Sequence, residues 1–109
     1  MALDFALSSI GTLDENGIPT TTRSILGYLY DQSNKTEPYS GITPQTLVDM
    51  YQNNIGFYDN LLSNYIPNNL NTRLSQEDRA KINKLTESIN AAKSMWTQAM
   101  VTVGDKIVD

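Results

Sequence analysis

Residues 75–103 read SQEDRAKINKLTESINAAKSMWTQAMVTV. Within them Ile82, Leu85, Ile89, Ala92, Trp96, Ala99 and Val103 alternate spacings of three and four residues, the repeat that keeps one face of a helix apolar over successive heptads. Ser75 supplies an N-cap oxygen, and Glu77 and Asp78 place acid in the first turn, where the helix dipole favours it. Gly104 predicts the stop. A helix of this span is about 43 Å long at 1.5 Å per residue, more than a small globular core requires. Met95 and Met100 flank the stripe and widen it.

Upstream, Thr43-Pro44 opens a second helix, because Thr caps well and Pro at the first helical position gives up an N–H that has no partner there. Leu47, Tyr51, Asn54, Tyr58, Leu61 and Tyr65 repeat the four-three spacing, and Ile55 and Leu62 broaden it. The helix is predicted to run to Asn64, with Gly56 marking a bend or a close helix contact. Pro67 ends it, and residues 66–73 form a connector of a length that suits two antiparallel helices.

The front of the chain is less regular. Leu3, Ala6, Leu7 and Ile10 make one short helical face closed by Gly11. Asn16-Gly17 signals a turn with a two-residue loop. The following Thr run favours extended chain, and Pro19 restricts any strand there to an edge. Residues 11–22 are therefore expected to form an extended arm or a small hairpin. Residues 23–31 favour a short helix weakened by Gly27, and residues 32–42 form a loop. The predicted fold is mainly α: a C-terminal antiparallel helical hairpin (about 44–64 and 75–103), preceded by short helices and an extended N-terminal arm. Residues 1–43 form the arm and short helices, residues 44–109 the hairpin, in one structural unit. The front half is too poor in apolar residues to build its own core and is expected to drape over a neighbouring subunit.

Composition narrows the chemistry. The 109 residues include no Cys and no His. That removes disulfides, thiolate and imidazole metal ligands, and any Ser–His–Asp triad. Asp14 and Glu15 at the Asn16-Gly17 turn lack the further ligands of a calcium loop. No catalytic residue, cofactor, metal or small-molecule substrate is expected. Acids outnumber bases 12 to 8, for a net charge of −4, which disfavours nucleic acid as the main partner. The excess lies in residues 1–55, with six acids and two bases; residues 56–109 carry six of each. No apolar run approaches the length of a membrane span, and the first residues, with Asp4 and no base, do not read as a secretory signal. Charged residues make up 18% and Asn, Gln, Ser and Thr together number 36, so the surface is polar but weakly repelling.

Packing surface is what remains. The stripe Ile82, Leu85, Ile89, Ala92, Trp96, Ala99 and Val103 is either the inner face of the hairpin or a seam shared with other subunits. Tyr51, Tyr58 and Tyr65 recur every seven residues and suit a wet interface. These ten residues are the expected interface, with other copies of the chain and other structural proteins as partners. The expected role is a non-enzymatic structural subunit of a larger assembly, foremost a bacteriophage virion component of the tail, neck or head, located in the virion. The alternatives are a rod or needle subunit of a bacterial secretion machine, some of which share the outline of helix, Pro/Asn turn and second helix, and a small acidic inhibitor or adaptor of one host protein.

Overall fold

The computed structural model describes residues 2–35, 42–65 and 74–107. The order is α1 (Ala2–Ile10), α2 (Thr20–Ser33), α3 (Pro44–Asn60) followed by a π-helical turn (Leu61–Tyr65), and α4 (Gln76–Ile107). The protein is mainly α, as its periodicity predicts. At 32 residues, α4 is about 48 Å long and sets the longest dimension of a molecule measuring 56 × 24 × 18 Å. The expected connector at 66–73 and the centre of the expected loop, 36–41, lie outside the described residues.

The helix starts follow local chemistry. The Oγ1 of Thr43 accepts from the Thr46 N–H at 3.1 Å, with Pro44 as the first helical residue. The Oγ of Ser75 accepts from the Asp78 N–H at 3.1 Å. Gly11, at φ +75°, ends α1 in the left-handed conformation that glycine adopts without cost.

Helix α4 is the spine on which the others pack. α3 runs against it in the opposite direction: Leu47, near the start of α3, lies 3.8 Å from the position a Cβ on Gly104 would take, while Asp59 near its end accepts from Lys93 Nζ at 2.6 Å. α2 runs alongside α4 in the same direction. Its entry is held by Ser88 Oγ, which donates to the Gly17 carbonyl at 2.6 Å, and its exit by Lys106 Nζ, which donates to the Asn34 side-chain oxygen. α1 packs on the π-helical turn and on α4. The wider turn coincides with two successive leucines that face inward, Leu61 buried and Leu62 half-buried against the core.

Of the extended arm and the small hairpin expected for residues 11–22, residues 12–19 form the hairpin, bridged between Leu13 and Pro19, while five other expectations are corrected. The hairpin loop holds three residues rather than two: the Gly17 N–H bonds to the Asp14 carbonyl at 3.0 Å and the Asp14 N–H to the Ile18 carbonyl at 2.8 Å. Gly17 takes φ +79°, the geometry of a type I turn closed by a bulge. The Thr run then starts α2 instead of extending a strand, because Pro19 caps it with φ −57° and no neighbouring strand offers a ladder. The front half does not lack a core, since Ala6, Ile10, Ile18, Leu26 and Leu29 are all buried and all but Ile18 join one core cluster with α3 and α4. Gly104 does not stop α4, which continues to Ile107. Gly56 marks no close contact, for a Cβ there would meet nothing within 4 Å.

Three outcomes are expected from this packing. Trp96 is fully buried and its indole N–H meets no acceptor among the described residues. Trp96→Ala should lower unfolding free energy by about 3–5 kcal/mol. Trp96→Phe should cost clearly less, because it also removes a buried donor without a partner; urea titration followed by circular dichroism measures both. Gly27 and Gly56 are exposed helix residues facing open space, so Gly27→Ala and Gly56→Ala should each raise stability by about 0.5–1 kcal/mol. The third concerns Asp14. The Ile18 backbone N–H, then Arg23 and the Asn16 N–H, hold its carboxyl below the ordinary 3.8 against a smaller opposing effect of desolvation. A lowered folded-state value stabilises above the unfolded value, and the benefit is lost as pH falls through the folded one. The Tm gap between wild type and Asp14→Asn should be full at neutral pH and close in acid below 3.8.

Candidate interaction surface

The structure places the expected interface residues mostly inside. Ile82, Leu85, Ile89, Ala92, Trp96, Ala99 and Val103 are between 0% and 4% exposed. The cover comes from the chain's own helices, so the stripe offers no free seam to another subunit. The reason is geometric: α2 and α3 flank α4 on both sides of its apolar face, whereas a two-helix hairpin would leave one flank open. Tyr58 is buried as well, Tyr51 is half-buried against the core, and the side chain of Tyr65 lies outside the described residues.

A different surface is left uncovered. Where the end of α1 meets the start of α2 and the middle of α3, a pocket of about 230 Å³ opens between them. Ser9 and Ile10 supply one wall, Thr21 and Ile25 a second, and Asn54 and Phe57 the third. Thr22 and Tyr58 form the floor, and their hydroxyls share a buried hydrogen bond. That bond satisfies both groups without water and fixes the spacing of α2 and α3 at this level. No charged side chain lines the pocket.

One exposed aromatic residue lines it, and two more lie on its helices. Phe57 is 42% exposed and its ring tilts against that of Tyr58, with centroids 5.6 Å apart. Phe5, 52% exposed, lies one turn before Ser9 on α1, and Tyr28, 55% exposed, lies about one turn after Ile25 on α2. Three of the four large exposed hydrophobic residues among the described ones thus lie on the three helices that line this pocket. Scattered singly, such residues mean little; gathered, they mark contact surface. Phe5 and Phe57 carried a signal in the sequence that periodicity passed over: both are large apolar residues that fall off the stripes of their helices.

The electrostatics elsewhere describe fastening within the chain. Both oxygens of Asp14 are engaged, one by the N–H groups of Asn16 and Ile18 at 2.9 Å and the other by Arg23 Nε at 2.7 Å, so they are not presented to a cation. Lys81 pairs with Glu77 at 3.4 Å, and Lys84 faces Asp14, Glu15 and Glu87. Among the described residues no three carboxylates gather as a metal site, and no helix is long and apolar enough to cross a membrane. At about 230 Å³, the α1–α2–α3 pocket falls below the roughly 300 Å³ at which small-molecule sites begin. It suits an inserted side chain better than a cofactor. Comparison with protein-family models, curated proteins and solved structures finds no match to this chain.

Proposed function

We propose that the protein is a non-enzymatic structural subunit of a larger protein assembly, of the kind built into the tail, neck or head of a bacteriophage particle, and that the α1–α2–α3 pocket is its contact surface. The observation that carries this reading is an uncharged pocket with the exposed ring of Phe57 in its lining, between helices α1 and α2 that each carry a further exposed aromatic residue, Phe5 and Tyr28. Aromatic residues at an uncharged centre with polar surroundings are the composition of protein interfaces. The low content of charge supports the same reading, because a surface with 18% charged residues packs beside neighbours with little repulsion or desolvation cost. A rod or needle subunit of a secretion machine is favoured by one further observation, the 56 Å length against a 24 × 18 Å section.

The test is Phe57→Glu, which places a charge at the pocket mouth without touching the core. Wild-type protein should be recovered in large particles by size-exclusion chromatography with light scattering, and electron micrographs of those particles separate the ringed symmetry of a tail or neck from a helical rod. The variant should keep its helical circular dichroism and be lost from the particles. Equal incorporation of Phe57→Glu would refute the surface. A wild-type chain that stays monomeric and binds a single host protein would instead support a small inhibitor or adaptor.

A further inference from the structure

The Asn16-Gly17 pair has a chemistry of its own. Asn16 is exposed at the tip of the hairpin and Gly17 is half-buried behind it. An asparagine followed by glycine carries both reactants of a ring closure. The side-chain amide carbon and the next backbone nitrogen complete a five-membered ring, and glycine has no Cβ to keep that nitrogen away. Here the fold restrains both partners. The Gly17 N–H donates to the Asp14 carbonyl at 3.0 Å, and the Asn16 N–H donates to Asp14 Oδ1 at 2.9 Å. The Gly17 carbonyl accepts from Ser88 Oγ at 2.6 Å, a contact across 71 positions that ties the hairpin to α4. Between the hairpin and α4 a cavity of about 400 Å³ opens onto Asn16, Gly17 and Ser88, with Glu15, Lys84 and Glu87 around it. None of these residues lines the α1–α2–α3 pocket.

We propose that Asn16 is a self-modification site, converting to aspartate and isoaspartate through a succinimide, and that the tie from Ser88 to Gly17 gates the reaction. The Gly17 nitrogen gives up its proton and bonds to Cγ of Asn16, and the side-chain nitrogen leaves as ammonia. Water then adds to one of the two ring carbonyls. Opening at Cγ gives aspartate. Opening at the main-chain carbonyl gives isoaspartate, with the chain running through Cβ and Cγ. Water is the only co-reactant. While Asp14 holds the Gly17 N–H and Ser88 holds the Gly17 carbonyl, the nitrogen is not free to lose its proton or to swing toward Cγ. The reaction therefore runs from the released hairpin, at a rate set by the open population. Its product does not close again in the same way. An isoaspartate backbone is longer by one carbon, so a loop of this size cannot re-form both bonds of Gly17. Either product also adds a carboxylate near Asp14, Glu15 and Glu87, where like charges repel. A hairpin that has reacted thus leaves the entry of α2 released from α4.

The test holds the full chain at mildly alkaline pH and follows residue 16 by mass spectrometry of tryptic peptides, with enzymatic methylation of isoaspartate to separate the two products. Wild type should convert slowly when folded and about tenfold or more faster when unfolded in urea. Ser88→Ala removes the tie and should convert about fivefold faster than wild type, the factor that one lost hydrogen bond supplies. Asp14→Ala frees the Asn16 and Ile18 N–H groups and should accelerate the reaction likewise; it carries the test if Ser88→Ala loses its helical circular dichroism. Asn16→Gln, whose ring would need a sixth member, should stay unmodified at this position. Folded wild type that converts as fast as the chain in urea overturns the gate, as does a folded Ser88→Ala that converts at the wild-type rate. No conversion of residue 16 in folded wild type or either variant, while the chain in urea converts fully, overturns the site.

Discussion

Everything in this molecule hangs on one face of one helix. Among the described residues, the seam from Ile82 to Val103 is the apolar surface on which the three other helices pack. Its residue sizes suit that duty. Ile82, Leu85 and Ile89 are bulky, whereas Ala92 and Ala99 stand on either side of Trp96. Small residues beside the indole leave room for the flanking helices to draw close while the ring fills the space between them, the large-and-small alternation that close packing requires. Removing any one of the flanking helices would expose part of the seam, so the N-terminal half is held by the C-terminal half rather than being an appendage to it.

That arrangement changes where function has to be sought. A heptad stripe on a lone helix invites a partner, but here the invitation is taken up internally. The polar fastenings along α4 agree with this. Ser88 to Gly17, Lys93 to Asp59 and Lys106 to Asn34 spread over the length of the helix and fix α2 and α3 in register. The two lysine contacts are exposed and contribute little alone, whereas Ser88 is buried; together the three specify which residue lies beside which. Among the described residues, what the seam does not absorb is a short roster of large apolar side chains, Phe5, Tyr28, Phe57 and Val101. In a chain without Cys or His these are the residues with the most to gain from a partner.

The helices themselves were plain in the sequence. The spacing of Ile82 through Val103, the Thr43-Pro44 start and the Ser75 cap each follow from local chemistry that tertiary context did not override. Three things were not plain, for identifiable reasons. A heptad pattern states that a face is buried but not by what, so Trp96 read first as core with a shared seam as the alternative. The Thr20–Thr22 run has β-branched residues whose preference for extended chain holds only where a sheet exists to receive them; with Pro19 setting the entry angle, they became the first turn of α2, and Thr22 found Tyr58 across the core. Gly104 carried the usual stop signal, yet nothing after it forced the left-handed turn that a stop uses, and α4 ran on by a turn. The candidate surface was legible in a weaker sense. Phe5 and Phe57 stand off their stripes, but only the fold sets Phe57 into the lining of a pocket between three helices.

The parallel run of α2 beside α4 has a consequence for how the chain comes into being. The contacts that hold α2 join residues 71 and 72 positions apart, Gly17 to Ser88 and Asn34 to Lys106. The N-terminal half leaves the ribosome first, yet the surface that buries Ala6, Leu26 and Leu29 is the last to be made. Until α4 has emerged, α1 and α2 carry their apolar faces without a partner, and helices this short are marginal alone. Folding is thus gated by the emergence of α4, and loss of its last turns would strip cover from α2.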